Sequence, residues 1–219
     1  MGLFARSTSI VRYLAPPPAR LDRDKIARAV SRRAFREVDA AESVQAFGWV
    51  GAHDPLATDF SAADLFVQHH LVVGFRYDRR IVPPKLLHLE RRREEAARRT
   101  TEESGRLGRE ARKQVKDEVE ARLLLRALPT PRLFDCAWNL DTGHVYFSGR
   151  LRPAREAFAA LFRETFGVAP IPLIPYLAVE RTGLPARAVE RVRAAQPASL
   201  VAAPPASAVP HLPLVEAEV

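Results

Sequence analysis

Between Pro84 and Pro129 the chain runs without one proline or one aromatic residue, although the whole sequence contains 18 prolines. A stretch this long, dense in Arg, Glu, Leu and Ala, has good helix formers at nearly every position and nothing to break them. Leu107, Ala111, Val115, Val119 and Leu123 recur at strict i, i+4 spacing, a narrow apolar stripe on an otherwise charged helix. The earlier half carries Leu86, Leu87, Leu89, Ala96 and Ala97, and Gly105 and Gly108 punctuate the middle. The spacing predicts two antiparallel helices joined near residues 100 to 106.

The flanks read differently. Ser9–Leu14 is a short apolar run stopped by Pro16-Pro17-Pro18, and it predicts a strand. Asp22 or Asp24 can cap a helix with Ile26, Val30 and Ala34 on one face. Phe47-Gly48-Trp49-Val50 suits a short strand, and 53–63 a polar loop. Leu71, Val73, Phe75 and Tyr77 alternate with more polar positions, the period of a half-buried strand, with Gln68–His70 turning it back on Leu65–Val67. After the proline break at 129–131, 133–140 and 144–149 flank Asp141-Thr142-Gly143, the best hairpin signal in the chain. A helix follows with Pro153 in its first turn, Ala154, Phe158, Leu161 and Phe162 inward, and Gly167 at its end. Residues 168–176 are too rich in proline for a central strand and predict an edge. A short helix is expected after Pro185, and the Pro/Ala-rich stretch from Gln196 on is expected to be disordered.

The fold class is therefore α+β: a mostly antiparallel sheet packed with helices, with a protruding charged helical hairpin. The expected organisation is 1–82 as the first part of the core and 83–128 as the hairpin. Residues 129–176 complete the core, 177–195 form a short helical extension, and 196–219 form the tail.

Several chemistries have no foothold. A single cysteine, Cys136, excludes an internal disulfide and a multi-cysteine metal site. It sits in a predicted strand beside Trp138 and reads as a core thiol rather than a nucleophile. His69 and His70 are adjacent on a strand, so their side chains diverge and cannot share an ion. Asp54, Asp59, Asp64, Asp135 and Asp141 fall on loops and turns without metal-site spacing, and Glu118 and Glu120 diverge on a helix. No P-loop, nucleophile elbow, dinucleotide-binding glycine pattern or HExxH is present. The chain is expected to be non-catalytic, with no cofactor, no resident metal and no membrane contact, in the cytoplasm and associated with the nucleoid.

Charge points to a polyanion instead. The formal net charge is +8 and the pI about 10.3. Between Arg79 and Arg126 there are 15 Lys/Arg against 9 Asp/Glu, a surplus of six in one segment. Part of this charge should cancel on the helix surface, as in Glu94–Arg98 and Glu95–Arg99. The candidate binding cations are Arg91, Arg92, Arg93, Arg98, Arg99, Arg106, Arg109, Arg112, Lys113 and Lys116. Arg109, Arg112, Lys113 and Lys116 fall at i, i+3, i+4 and i+7, four cations on one face, a pattern suited to phosphates. No aromatic residue interleaves with them, so duplex backbone fits better than stacked single strands. The alternatives are a metal-dependent exonuclease and a protein-assembly module built on the hairpin.

Several short motifs follow in order: Ala34-Phe35, Gly48-Trp49-Val50, a strand with Arg76 leading into Arg80-Ile81-Val82-Pro83, and Gly105-Arg106. Lys116-Asp117-Glu118-Val119, Leu124-Leu125-Arg126-Ala127 and the hairpin with Trp138, Asp141 and Gly143 come next. This order resembles the recombination-associated RdgC family. The likeness covers residues 8 to 176. It implies a duplex DNA-binding protein with little sequence preference, a homodimer closing a ring around a basic hole, and restraint of the RecA recombinase through occupation of DNA. Two features depart from the family pattern. Leu125 stands where Pro is usual and Leu128 where a Phe supports self-association, and the family's further domain beyond Pro175 is replaced by a short helix and tail. An open dimer or a clamp-like monomer is therefore expected at least as much as a closed ring.

Overall fold

The alternation from Leu71 to Tyr77 becomes the axis of the structure. A computed structural model describes residues 3, 8–18, 20, 22–37, 43–101, 106–174, 179 and 184–195. The elements run β1 (Val11–Leu14), α1 (Arg23–Arg32), β2 (Gln45–Val50), α2 (Ala62–Leu65), β3 (Phe66–Val67) and β4 (His70–Arg80). They continue with α3 (Pro84–Thr101), α4 (Arg109–Arg126), β5 (Pro129–Asn139), β6 (His144–Phe147), α5 (Arg152–Phe166), β7 (Ile171–Pro172) and α6 (Ala186–Ala194). All strand pairs are antiparallel, in the order β2-β4-β5-β6-β1-β7 with β3 also beside β4, which makes the α+β class a finding.

β4 pairs with β5 along its whole length, from His70 opposite Asn139 to Arg80 opposite Pro129. Leu71, Val73, Phe75 and Tyr77 face one side and are buried there with Cys136 and Trp138 of β5. α1 and α5 lie over that side, adding Ile26, Ala27 and Val30 from one and Ala154, Phe158, Leu161 and Phe162 from the other. Phe158 stacks on Phe147 at 4.2 Å and meets Phe75 and Trp49 edge-on at 5.9 and 6.1 Å. Trp49 donates its indole N–H to Thr165 Oγ1 at 2.8 Å, and Trp138 donates to the carbonyl of Ala15 at 3.1 Å. Both large polar-tipped rings are thus satisfied where they are buried.

Three local expectations change. The first helix, capped by Asp22 accepting from the Lys25 N–H, ends at Arg32, so Ala34 leaves the helical face. Ala34 instead runs alongside β2, with the Phe35 N–H donating to the Trp49 carbonyl and the Trp49 N–H to that of Arg33. A Cβ at Gly48 would come within 2.4 Å of Phe35 Cα, so only glycine admits this crossing. Next, 53–63 is not wholly loop, because Ser61 and Asp64 form a capping box that starts α2. Finally, Pro129 and Pro131 do not merely stop the helix; they begin β5. They are two apart, so the positions lacking an N–H face the same side, and β6 pairs only with Cys136–Trp138. The missing donors therefore face a side with no ladder to break.

The chain divides into Met1–Leu173 and a second unit from Ile174 on. In the second unit α6 follows Pro185 and has no buried residue. The expected tail, 196–219, and residues 102–105 of the hairpin joint expected near 100 to 106 lie outside the described residues.

Burial pushes the Cys136 thiol far above the ordinary thiol range, so it stays protonated in the fold. The native protein should resist thiol reagents at mildly alkaline pH and react once per chain in concentrated guanidinium. Because the unfolded chain loses this proton first, stability should fall as pH rises through the ordinary thiol range. Burial also raises the Tyr13 hydroxyl, against the nearby Arg155, which extends the decline into the phenol range. Rapid native labelling would show that the strand pair around Cys136 opens.

Candidate nucleic-acid interface

α3 and α4 form the antiparallel hairpin that the spacing predicts, and its two arms differ electrostatically. Val115 and Val119 are buried between the arms, with Leu107 buried just ahead of α4 and Ala111 and Leu123 half-buried. On α3 the cations are mostly taken. Arg91 pairs with Glu95 at 3.3 Å and Arg93 with Glu90 at 2.9 Å. Arg98 pairs with Glu94 at 3.7 Å and also with Glu118 across the hairpin, and Arg99 reaches Glu95 at 4.0 Å. Arg122 spans the arms to Glu90 and Glu94 at 3.8 and 3.6 Å. Four of the ten candidate cations, Arg91, Arg93, Arg98 and Arg99, thus have carboxylate partners, and Arg122, absent from the candidate set, helps hold the arms together. Each exposed pair contributes little stability, but together they absorb the charge of this arm.

The first half of α4 is arranged in the opposite way. Arg109, Arg112, Lys113 and Lys116 are exposed, and among the described residues none forms an ion pair. Arg92 is exposed on α3 and, among the described residues, forms no ion pair, and Arg106 is exposed just before α4. At about 100° per residue the four α4 cations occupy roughly a 100° arc, and at about 1.5 Å per residue they extend about 10 Å. α4 starts at Gly108 with no side-chain cap and only Glu110 as an acidic residue in its first turn. Cations near a helix N-terminus oppose the macrodipole, each costing up to about 1 kcal/mol. A face that served solubility alone would carry carboxylates there. Arg109 and Arg112 in the first turn cost stability, and with Lys113 and Lys116 they leave a concentrated positive surface.

The root of the hairpin is fixed on the sheet face away from α1 and α5. Arg76 forms a two-pronged pair with Asp78, Nε to Oδ1 at 2.9 Å and Nη2 to Oδ2 at 2.7 Å, and its guanidinium lies 4.2 Å from the centre of the Phe35 ring. This carboxylate holds Arg76 even more firmly protonated than usual. Arg80 donates to the Ala127 carbonyl at 2.5 Å, tying the end of β4 to the end of α4. These two arginines are structural, and their short spacing along β4 gives no sign of that in the sequence. Around the root, Ile81, Leu86, Leu89, Leu125, Leu128 and Leu133 are all exposed, Leu128 at 85 %.

The other candidate chemistries do not converge. His69 faces Asp141 at 3.1 Å while His70 meets Asn139 at 3.1 Å, so the two histidines serve separate contacts. Among the described residues no three His, Cys, Asp or Glu side chains are grouped to hold a metal ion, and no helix is long and apolar enough to cross a membrane.

No curated protein is significantly similar to the chain. The family described as "Putative exonuclease, RdgC" matches residues 8–182, which takes in the sheet, the helices α1 and α5 that cover it, and the hairpin. The antiparallel sheet, the charged hairpin set between β4 and β5 and a match over most of the sequence lead to one conclusion: the chain belongs to the RdgC family.

Proposed function

We propose that the protein binds duplex DNA through its phosphate backbone, with little regard to sequence, and by occupying DNA modulates recombination without catalysing a reaction. The observation that carries this reading is the face of Arg109, Arg112, Lys113 and Lys116, exposed and, among the described residues, without an ion pair. Its length of about 10 Å matches about three phosphates of one strand at about 3.4 Å each along the axis. Membership of a recombination-related family supports the same partner, and restraint of a RecA-type recombinase would follow from competition for DNA. The partner would be a second copy of the chain as well as DNA. The aliphatic residues exposed around the hairpin root suit such a homodimer, with Leu128 at the position where the family pattern has its associating Phe. Cytoplasmic, nucleoid-associated residence is part of the same reading.

The test is fluorescence anisotropy of a labelled duplex over a salt series. Affinity should fall steeply with salt, and replacing Arg109, Arg112, Lys113 and Lys116 with Ala should flatten log K against log salt by up to about 3 to 4 units, at about 0.9 per lost contact. An unchanged slope removes α4 from the DNA site. The family description names an exonuclease, so the same duplex is incubated with Mg²⁺ or Mn²⁺ and with EDTA. Degradation that depends on the metal would replace the non-catalytic reading.

A further inference from the structure

Asp22 and Asp24, the only acidic residues of the segment from 22 to 36, both sit at the start of α1, one as its cap and one in its first turn. Both positions are where the helix dipole favours a carboxylate. The rest of the outer face carries only cations. Lys25, Arg28 and Arg32 are exposed at i, i+3 and i+7, within roughly a 60° arc at about 100° per residue. Ile26, Ala27 and Val30 occupy the opposite side and are buried in the core, so α1 is locked and its cations are held in a fixed row. Arg36 continues the row beyond the helix. Among the described residues none of these four has a carboxylate within ion-pair distance, whereas Arg33 between them is paired with Glu164 at 2.5 Å. Arg32 lies in the last turn, where the dipole favours a cation, but that explanation does not reach Lys25 or Arg28.

The direction of the row adds to the argument. Arg23 donates to the Gln68 carbonyl at the turn before β4, whereas Glu37 lies 3.9 Å from Arg76 near the root of the hairpin. The chain beyond the row therefore crosses the β2 edge, from the sheet face that α1 covers to the face that carries the hairpin root.

We propose that α1 is a second phosphodiester-binding surface, formed by Lys25, Arg28 and Arg32 and extended by Arg36, engaged by duplex DNA. The inference rests on the reading of duplex DNA as partner. The chemistry selects a phosphodiester chain over a lipid surface, because a helix that lies on a membrane must present an apolar face to it, and the apolar residues of α1 are in the core.

The experiment uses the full chain with Lys25→Gln, Arg28→Gln and Arg32→Gln together, beside the hairpin variant and the two combined, after circular dichroism and thermal midpoints show that each is folded. The α1 variant should flatten the salt slope by about 2 to 3 units, at about 0.9 per lost contact, and the combined variant should lose the sum of the two. An α1 variant with wild-type slope and affinity, beside a hairpin variant that loses both, overturns the α1 surface and leaves the hairpin reading standing. The reverse pattern overturns the hairpin and supports α1. No duplex binding by the unaltered chain overturns both. Vesicles of anionic and neutral phospholipid form the last arm, and α1-dependent binding to anionic vesicles without α1-dependent binding to DNA also overturns the proposal. Charge reversal by Arg28→Glu, at a position with no ion pair or side-chain hydrogen bond among the described residues, should weaken duplex binding more than Arg28→Gln, and equal effects count against a direct phosphate contact.

Discussion

Phe158→Ala should cost about 3 to 5 kcal/mol of stability, read as a drop in the urea midpoint at unchanged cooperativity. The ring is fully buried and belongs to α5, yet its contacts are with the sheet. It stacks on Phe147 of β6, touches Phe75 of β4 and Trp49 of β2 edge-on, and lies 5.7 Å from Tyr13 of β1. One side chain therefore holds a helix against four strands. Removing it leaves a cavity lined by large rings that cannot collapse without shifting the strands they belong to. Phe158→Leu keeps much of the volume and should cost under about 2 kcal/mol. If Phe158→Ala costs under about 1 kcal/mol, the helix is not docked as described. Neither substitution touches the charged face of α4, so salt dependence of duplex binding should persist wherever the variant remains folded.

The sheet was legible where the physics is local. Alternation from Leu71 to Tyr77 and the turn at Asp141-Thr142-Gly143 depend on neighbours within a few residues, and both recur in the structure. Pro129 and Pro131 were read as ending the helix, with the strand starting only at 133, because proline lacks the N–H that a helix or a ladder uses. Whether a donor is needed depends on the strand alongside, and that is a long-range fact. Ala34 shows the same limit, since its spacing from Ile26 and Val30 fits a helix, while the hydrogen bonds of Phe35 and Trp49 pull the chain into an extended crossing.

The interface was legible in its spacing and obscure in its pairing. Helical spacing assigned Arg98 to Glu94 and Arg99 to Glu95, as found. It could not reveal that Glu118 reaches across to Arg98, or that Arg122 holds Glu90 and Glu94 from the other arm. These cross-arm contacts decide which cations are already occupied. The α1 row went unread because six cations in a short segment look like ordinary solvation until their partners are counted. Only packing shows that both local aspartates are committed to the start of the helix.

Asp78→Ala should cost about 3 kcal/mol, because it strands a charge that the fold has half removed from water. Asp78 is buried and Arg76 is 17 % exposed, so the residual access of water to the guanidinium tempers the cost. Arg76→Met should be damaging in turn, since it leaves the Asp78 carboxylate without its two charge-assisted hydrogen bonds. The double variant Arg76→Met with Asp78→Leu removes both charges while keeping an apolar chain over Phe35, and it should lie within about 1 kcal/mol of the original protein. A thermodynamic cycle over the four proteins would then give a coupling near the summed cost of the two single changes. Additive losses would mean that the pair is not the unit that fixes the root. The double variant also separates structure from binding. Arg76 is an arginine of a basic protein, but its charge is spent on Asp78, so its loss in a stable background should leave the salt slope for duplex DNA unchanged. A flattened slope would place Arg76 among the phosphate contacts and move the interface from the outer half of α4 down to the sheet.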